Sequence, residues 1–289
     1  MTNQLLKSLQ FTIESALRED RVFDDITSDL TIGDNNSPIK FQINCREDLI
    51  FCGNLVITEV IKQLQNSSKF AGQNFNLEFL AKDGDSISKF QNIAQGTADI
   101  KIILAGERVI LNLIQHLSSI ATSTNRYVTE LNSNKIKILD TRKTLPNLRY
   151  IQKYAVKCGG GYNHRMNLQD RILIKDNHIS ACGGIKNALQ KTLNKNLSVE
   201  IECDSYLQVK EAIEFNPDII MLDNMSIDEA QKSINLIRNN SNKTLIEVSG
   251  GINLATIKNY RHLDIDFISV GSLTNSCQVV DIGLDFIKS

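Results

Sequence analysis

The sequence predicts an α/β protein: a C-terminal open or six-stranded α/β barrel, plus an N-terminal α+β domain with an antiparallel sheet. Three observations carry this. From about residue 135 onward, six short apolar runs recur: Ile136–Leu139, Ile172–Ile174, Val199–Ile201, Ile219–Leu222, Leu245–Val248 and Phe267–Val270. Their starts lie roughly 20–36 residues apart, the length of one strand–helix unit, and six units are too few for an eight-stranded barrel of about 250 residues. Before residue 100 the pattern differs: Ile39, Phe41 and Ile43 alternate with Lys40, Gln42 and Asn44, as in a half-buried strand, and Asp83-Gly84-Asp85 is a turn between two further strand candidates. The expected division is an N-terminal domain over 1–110, joined by a C-terminal helix over 275–289, and a catalytic barrel over 111–274.

In chain order, Leu5, Leu6, Leu9, Ile13 and Leu17 share one helical face, so 3–19 reads as an amphipathic helix. Glu19-Asp20 and Asp24-Asp25 form an acidic connector suited to a solvated turn and helix cap. After the alternating strand comes Arg46, a cation at a strand end, then a short strand over Leu49–Cys52 and a helix over Asn54–Gln65. Ala98–Leu104 reads as another strand. Gly106-Glu107-Arg108 then opens a long helix striped by Val109, Ile110, Leu113, Ile114, Leu117, Ile120 and Ala121. On that reading Arg108 sits at the helix start, where a cation opposes the helix dipole. His116 reads as a satisfied structural histidine. In the second half, helical patterns over Gly184–Leu193, Leu207–Phe215, Ile227–Arg238 and Leu254–Tyr260 separate the apolar runs.

Charge is concentrated in one place. Asp140–Ile179 carries eight Lys and Arg against three Asp, in a chain of net charge −1. Lys153 and Lys157 fall in a helical pattern (Leu148–Lys157) and read as a solvated basic face. The rest do not: Arg142, Lys143 and Lys175 close apolar strands, and Gly159–Gly161 leads through a loop to His164-Arg165. Converging Arg and Lys suit a highly charged anion, because a guanidinium matches carboxylate or phosphate with a planar fork of donors.

The residues after each apolar run extend the pattern. They are Asp140, Arg142 and Lys143; Lys175 and Asp176; Glu202 and Asp204; Asp223 and Asn224; Ser249-Gly250-Gly251; and Gly271-Ser272. In parallel α/β barrels catalytic groups gather at the C-terminal strand ends, with phosphate often held after the last two strands. Glycine lets backbone N–H groups approach phosphate closely. The two carboxylates suit a hard cation such as Mg²⁺. Glu200 and Glu202 share a face by period two, and Glu202, nearer the strand end, is the favoured inward residue.

Composition narrows the class. A chain of 289 residues with 42% hydrophobic and 22% charged residues fits a soluble globular enzyme. Near-zero net charge argues against a general nucleic-acid or membrane-surface binder. No run reaches the length of a membrane span, and the first residues show no basic and apolar secretory pattern, so the expected location is cytoplasmic. Six cysteines without a Cys-x-x-Cys pair fit free thiols.

Taken together, DTRKT (Asp140–Thr144), Leu148-Arg149, CGGGYNHRMNLQDRILIKDNH (Cys158–His178), VEIECD (Val199–Asp204), MLDN (Met221–Asn224), EVSGGI (Glu247–Ile252) and SVGSLT (Ser269–Thr274) strongly resemble the quinolinate phosphoribosyltransferases. ALRED (Ala16–Asp20), CREDLIFCG (Cys45–Gly53) and AGERVILNLIQHLSSIAT (Ala105–Thr122) extend the resemblance over almost the whole chain. It implies that quinolinate and phosphoribosyl pyrophosphate give nicotinate mononucleotide, pyrophosphate and CO₂, with Mg²⁺, on the de novo route to NAD. It implies a homodimer, open to higher assembly, in which Arg46 of the partner subunit completes each site. Lys143, Lys175, Glu202 and Asp223 would be catalytic. Arg46, Arg108, Arg142, His164, Arg165 and Lys175 would line the quinolinate pocket with Lys143. Ser249, Gly250, Gly251, Gly271 and Ser272 would hold phosphate. Glu202 and Asp223 would serve the ribose and the Mg²⁺, directly or indirectly. The family's final loop usually reads Thr-His-Ser; here it is Thr274-Asn275-Ser276.

Three rivals remain at this stage. One is the related enzyme of molybdate-transport operons. Another is a Schiff-base lyase using Lys143 or Lys175, which leaves the carboxylate pair and the glycine loops unexplained. The third is a sugar-phosphate-binding barrel without catalysis, supported by Asn275 alone.

Overall fold

The computed structural model describes residues 2–35, 37–193 and 196–287. The elements in order are α1 (Asn3–Glu19), α2 (Ile26–Thr31), β1 (Pro38–Cys45), β2 (Leu49–Ile50), α3 (Asn54–Gln65), β3 (Phe75–Phe79), β4 (Ser86–Ile87), β5 (Asn92–Asp99) and α4 (Ile100–Leu131). They continue with β6 (Lys137–Leu139), α5 (Arg149–Cys158), β7 (Ile172–Ile174), α6 (Asp176–Cys182), α7 (Ile185–Gln190), β8 (Val199–Cys203), α8 (Tyr206–Ile213), β9 (Ile219–Asp223), α9 (Ile227–Asn240), β10 (Leu245–Ser249), β11 (Phe267–Ser269), α10 (Ser272–Asn275) and β12 (Ile282–Phe286). Short 3₁₀ turns cover Val22–Asp24 and Ile257–Tyr260.

The chain divides into two compact units. The first comprises Met1–Asn125, Thr144–Gly160 and Thr274–Ser289; the second comprises Arg126–Lys143 and Gly161–Leu273. The first unit thus runs to Asn125 and includes the α5 segment.

In the first unit an antiparallel sheet runs β12-β1-β5-β3. The helix at 3–19 forms as its apolar spacing predicts, burying Leu5, Leu9, Ile13 and Leu17 behind a Thr2 cap. Asp25 caps α2 through the Ser28 N–H, as the acidic connector suggests. Three local expectations fail. Residues 282–286 form a strand, not part of a helix, because β1 offers an antiparallel partner from Phe41↔Phe286 to Cys45↔Ile282; residues 288 and 289 lie outside the described residues. Ala98–Leu104 is not a strand: β5 ends at Asp99 and the helix starts at Ile100, so Ile102 and Ile103 join the buried helical stripe. An apolar run this short does not reveal its period by itself. Arg108 consequently lies inside α4, and the conflict with the helix dipole disappears. Lys153 on α5 is fully buried rather than solvated, whereas Lys157 is exposed. His116 is structural, its Nε2 sharing a 2.8 Å hydrogen bond with the Gln152 side-chain amide. Burial lowers its pKa.

In the second unit all six predicted runs become strands of one parallel sheet, ordered β7-β8-β9-β10-β11-β6. Register is continuous across it, for example Leu173↔Glu200, Glu202↔Met221, Glu247↔Met221, Ser249↔Asp223 and Ser269↔Leu139. Among the described residues β6 and β7 do not pair. Beside β6 sits Tyr162, whose N–H donates to Ile138 O at 2.8 Å. The barrel is open at that seam. Alternation puts Glu200 and Glu202 on one face of β8, Met221 and Asp223 on one face of β9, and Glu247 and Ser249 on one face of β10. All six face inward, buried or lining the cavity described next.

Candidate active site

A cavity of about 390 Å³ opens at the C-terminal strand ends of the second unit. Its walls are Thr141, Arg142, Lys143, His164, Arg165, Leu173, Lys175, Glu202, Met221, Asp223, Ser249 and Ser269. Most expected positions among these come from successive strand ends, Arg142 and Lys143 after β6, Lys175 after β7, Glu202 on β8, Asp223 on β9 and Ser249 on β10, while His164 and Arg165 come from the loop before β7. Size does not single the cavity out. A space of about 430 Å³ at the opposite strand ends is lined by Lys137, Arg171, Asp218, Lys243, Leu245 and Phe267, among others. Its place does: the denser set of cations, with two carboxylates, lies at the C-terminal strand ends, where parallel barrels gather their catalytic groups.

The cations are set around the rim and the floor. Arg165 is buried, and its Nη1 donates to Arg171 O at 3.2 Å. Burial first, then the charge of Arg142, lowers its pKa below the usual guanidinium value. Arg142 keeps a buried Nε without a hydrogen-bond partner among the described residues. An unpaired buried donor is costly, and an entering carboxylate or phosphate would satisfy it. Lys175 forms an ion pair with Glu202 Oε2. Lys143 is exposed and lies over Gly271, where an added Cβ would come 3.0 Å from its Cδ.

The glycine loops hold their shape for stated reasons. Gly250 has φ +86°, and a Cβ there would come 2.3 Å from Asn224 Oδ1. Gly251 has φ +65° and open space beside it. Asn224 in turn donates from Nδ2 to Asp223 Oδ2 at 2.6 Å and from its backbone N–H to Ser249 O at 3.0 Å. The β9 and β10 ends are thus tied together next to the cavity. Ser272 Oγ lies 3.4 Å from the Tyr127 hydroxyl.

Beneath the cavity floor is a cluster that the sequence did not reveal. His164 Nε2 is 3.1 Å from Glu200 Oε1 and 3.6 Å from Glu247 Oε1. Arg171 Nη1 donates to Glu200 Oε2 at 3.0 Å, and the Ser269 hydroxyl donates to Glu247 Oε1. His164 Nδ1 accepts the Arg165 backbone N–H at 2.8 Å, which assigns the ring proton to Nε2, facing Glu200. The Asp140 carboxylate accepts the His164 N–H at 2.9 Å. Three ligand-type atoms from His164, Glu200 and Glu247 lie within 4.8 Å of one another. Because the imidazole meets Glu200 as a donor, the set is a hydrogen-bonded cluster rather than a vacant cation cage.

The two carboxyls differ. Burial raises the Glu200 pKa, but the His164 hydrogen bond and the Arg171 guanidinium outweigh it, so Glu200 stays below its ordinary value. Burial, reinforced by the charge of Glu200, pushes Glu247 up to about 7. Glu247 was hidden because it sits inside a run read as apolar. A charged residue at mid-strand, in phase with Ser249, was the available signal.

Arg46 and Arg108 belong to the first unit. Arg46 follows β1, is half-exposed, and lies 3.5 Å from Asp285 Oδ1 on β12. Arg108 is exposed on α4. Asn275 ends α10, and its Oδ1 accepts the Ser276 hydroxyl at 2.7 Å.

Fold and cavity define the class: an α/β barrel whose C-terminal strand ends form a site for a polyanionic substrate. The family models for the N-terminal and C-terminal domains of quinolinate phosphoribosyl transferase match residues 25–118 and 120–285. A Mycobacterium leprae protein named nicotinate-nucleotide pyrophosphorylase (carboxylating) is 35% identical over 277 residues, 95% of each chain. The crystal structure of a nicotinate-nucleotide pyrophosphorylase from Ehrlichia chaffeensis superposes with a TM-score of 0.88 at 40% identity, over 99% of both chains. The structure of the Francisella tularensis protein of the same name gives 0.89 at 36%, over 99% of this chain and 100% of that one. The chain belongs to the quinolinate phosphoribosyl transferase family.

Proposed function

We propose that the protein transfers the phosphoribosyl group of phosphoribosyl pyrophosphate to quinolinate with loss of CO₂, giving nicotinate mononucleotide and pyrophosphate for NAD biosynthesis. One observation carries the reading. In a chain of this family, a single cavity brings Arg142, Lys143, His164, Arg165 and Lys175 together with Glu202, Asp223 and the Ser249 loop. Quinolinate brings two carboxylates and its co-substrate several phosphate charges, so a concentrated cation set matches both.

The chemistry distributes these groups by charge. The pyridine nitrogen attacks the anomeric carbon, and the bond to pyrophosphate breaks with its electron pair. Positive charge grows on the ribose and negative charge on the leaving group. Glu202 and Asp223 face the ribose, while Lys143 and the Ser249-Gly250-Gly251 and Gly271-Ser272 loops hold phosphate, so the charges are met by groups already in place. Arg142, Arg165 and Lys175 take the quinolinate carboxylates, and His164 supports Arg165 through its backbone. Once the ring nitrogen is quaternary it stabilises the carbanion left when the adjacent carboxylate departs as CO₂, and that carbon then takes a proton from solvent to give the product. No protein nucleophile is needed.

Glu202 and Asp223 are hard oxygen donors in a cavity that admits phosphate, and this donor set fits Mg²⁺. When bound, the ion would neutralise charge on the departing pyrophosphate. Arg46 is half-exposed and only loosely paired, which suits a residue lent to a second copy. On this reading Arg46 of the partner subunit completes the quinolinate site in a homodimer.

The test is turnover by the purified protein with quinolinate, phosphoribosyl pyrophosphate and Mg²⁺, following pyrophosphate and nicotinate mononucleotide together. Equal yields that require quinolinate support the proposal. Absence of both products overturns it.

A further inference from the structure

We propose that Glu247 is a positioning residue that couples quinolinate binding to proton uptake: when the dianion enters, a solvent proton settles on Glu247 Oε2 beneath the cavity floor. The inference rests on the quinolinate reading above and adds to it a group that touches neither substrate.

The geometry builds a proton site into this cluster. Glu200 and Glu247 are both fully buried, and the same His164 Nε2 lies 3.1 Å from one carboxyl and 3.6 Å from the other. Two carboxylates this close in a dry interior do not both ionise freely. Their surroundings decide which one holds the proton. Glu200 has the Arg171 guanidinium at 3.0 Å and the imidazole N–H. Glu247 has the Ser269 hydroxyl on Oε1 and nothing on Oε2, which is buried without a partner among the described residues. A proton that the pair takes up therefore settles on Glu247 Oε2.

The groups facing Glu247 are Glu200 from β8, Ser269 from β11, His164 from the segment before β7, and Arg171 immediately before β7, with neutral Met221 opposite it on β9. Of these only Glu200 adds negative charge. A substrate dianion held by Arg142 and Arg165 brings more negative charge to the other side of the same floor, because His164 and Ser269 line the cavity and touch the cluster. Negative charge nearby favours protonation of Glu247. With its midpoint pushed up to about 7, Glu247 is partly ionised near neutrality and has room to take up a proton. The proton comes from solvent buffer, and no other bond forms or breaks.

The experiment is isothermal titration calorimetry of quinolinate into the full-length protein between pH 6.5 and 8.5, in buffers of different ionisation enthalpy. We expect uptake of roughly a third to a half of a proton per quinolinate near pH 7, the amount a partly ionised group can accept under linkage. Glu247→Gln keeps the shape and the Ser269 contact but cannot titrate, and it should bind quinolinate with the uptake lost. Ser269→Ala removes a hydrogen bond that favours the ionised form, so the pH of maximal uptake should rise. A Gln variant that takes up as many protons as the parent overturns the inference, as does a parent that binds quinolinate with no uptake. If the Gln variant does not fold, a Ser269→Ala profile unshifted from the parent overturns it. A parent that does not bind quinolinate at all refutes the functional reading instead.

Discussion

The Lys175 ammonium is paired with the Glu202 carboxylate, linking the end of β7 to the end of β8 across the cavity wall. One partner is assigned to the substrate carboxylates and the other to the ribose, so the resting pair must loosen when substrates enter. Glu202→Gln should lower kcat by about 100-fold, the scale for losing one charge-stabilising group in a preorganised site, with quinolinate affinity changed by less than about threefold. Steady-state kinetics with a separate binding titration checks the split. A loss confined to KM for quinolinate would reassign Glu202 to that substrate.

Arg142 carries the orphaned Nε, so its loss should fall on one substrate. Arg142→Ala should weaken quinolinate binding by about 2 kcal/mol, or roughly 30-fold, as for a charge-assisted hydrogen bond. Binding of phosphoribosyl pyrophosphate should change much less. Comparing the two dissociation constants decides; equal losses would refute the assignment.

Gly250 and Gly251 differ in what surrounds them. Gly250→Ala would drive a Cβ to 2.3 Å from Asn224 Oδ1 and 2.7 Å from its backbone N, at φ +86°. Gly251→Ala meets no atom within 4 Å and suffers only from its positive φ. Urea denaturation should show a cost of about 1 kcal/mol for Gly251→Ala, and about 3 kcal/mol for Gly250→Ala. The Gly250 variant should also raise KM for phosphoribosyl pyrophosphate.

Glu247 should leave a signature in stability as well as in binding. Its folded pKa of about 7 lies above the usual glutamate value, so between about pH 4.5 and 7 the folded state binds the extra proton and stability falls as pH rises. Glu247→Gln removes that slope. Relative to the parent it should gain of order 3 kcal/mol between pH 5 and pH 8 in denaturant midpoints, the span of the shift at 1.36 kcal/mol per pKa unit. Parallel pH profiles for the two proteins would contradict this.

Much of the site could be read before the fold. Glu202, Asp223 and Ser249 stand where strand period and loop position put them, at the polar ends of apolar runs, and local pattern suffices for that. Glu200 was visible only as half of an either-or with Glu202, and both turn inward. The partner that fixes Glu200 is His164, 36 residues away, and sequence spacing does not convey such a pairing. Lys153 shows the opposite failure: its helical pattern suggested solvent, and tertiary packing buried it. Ile282–Phe286 is too short to reveal its own period. Its strand state is decided by β1, which lies far away in sequence.

That last pairing has a consequence for synthesis. Asn44 on β1 donates to Asp285 on β12, 241 positions later. The sheet near the N-terminus therefore waits for nearly the whole chain to leave the ribosome before its outermost ladder can close, and non-local closure of this kind slows folding. Until then β1 presents a bare edge, which is a template for the wrong partner. A chain cut short before Ile282 would keep every barrel strand and still lack that ladder, so its expected fate is aggregation through the first unit.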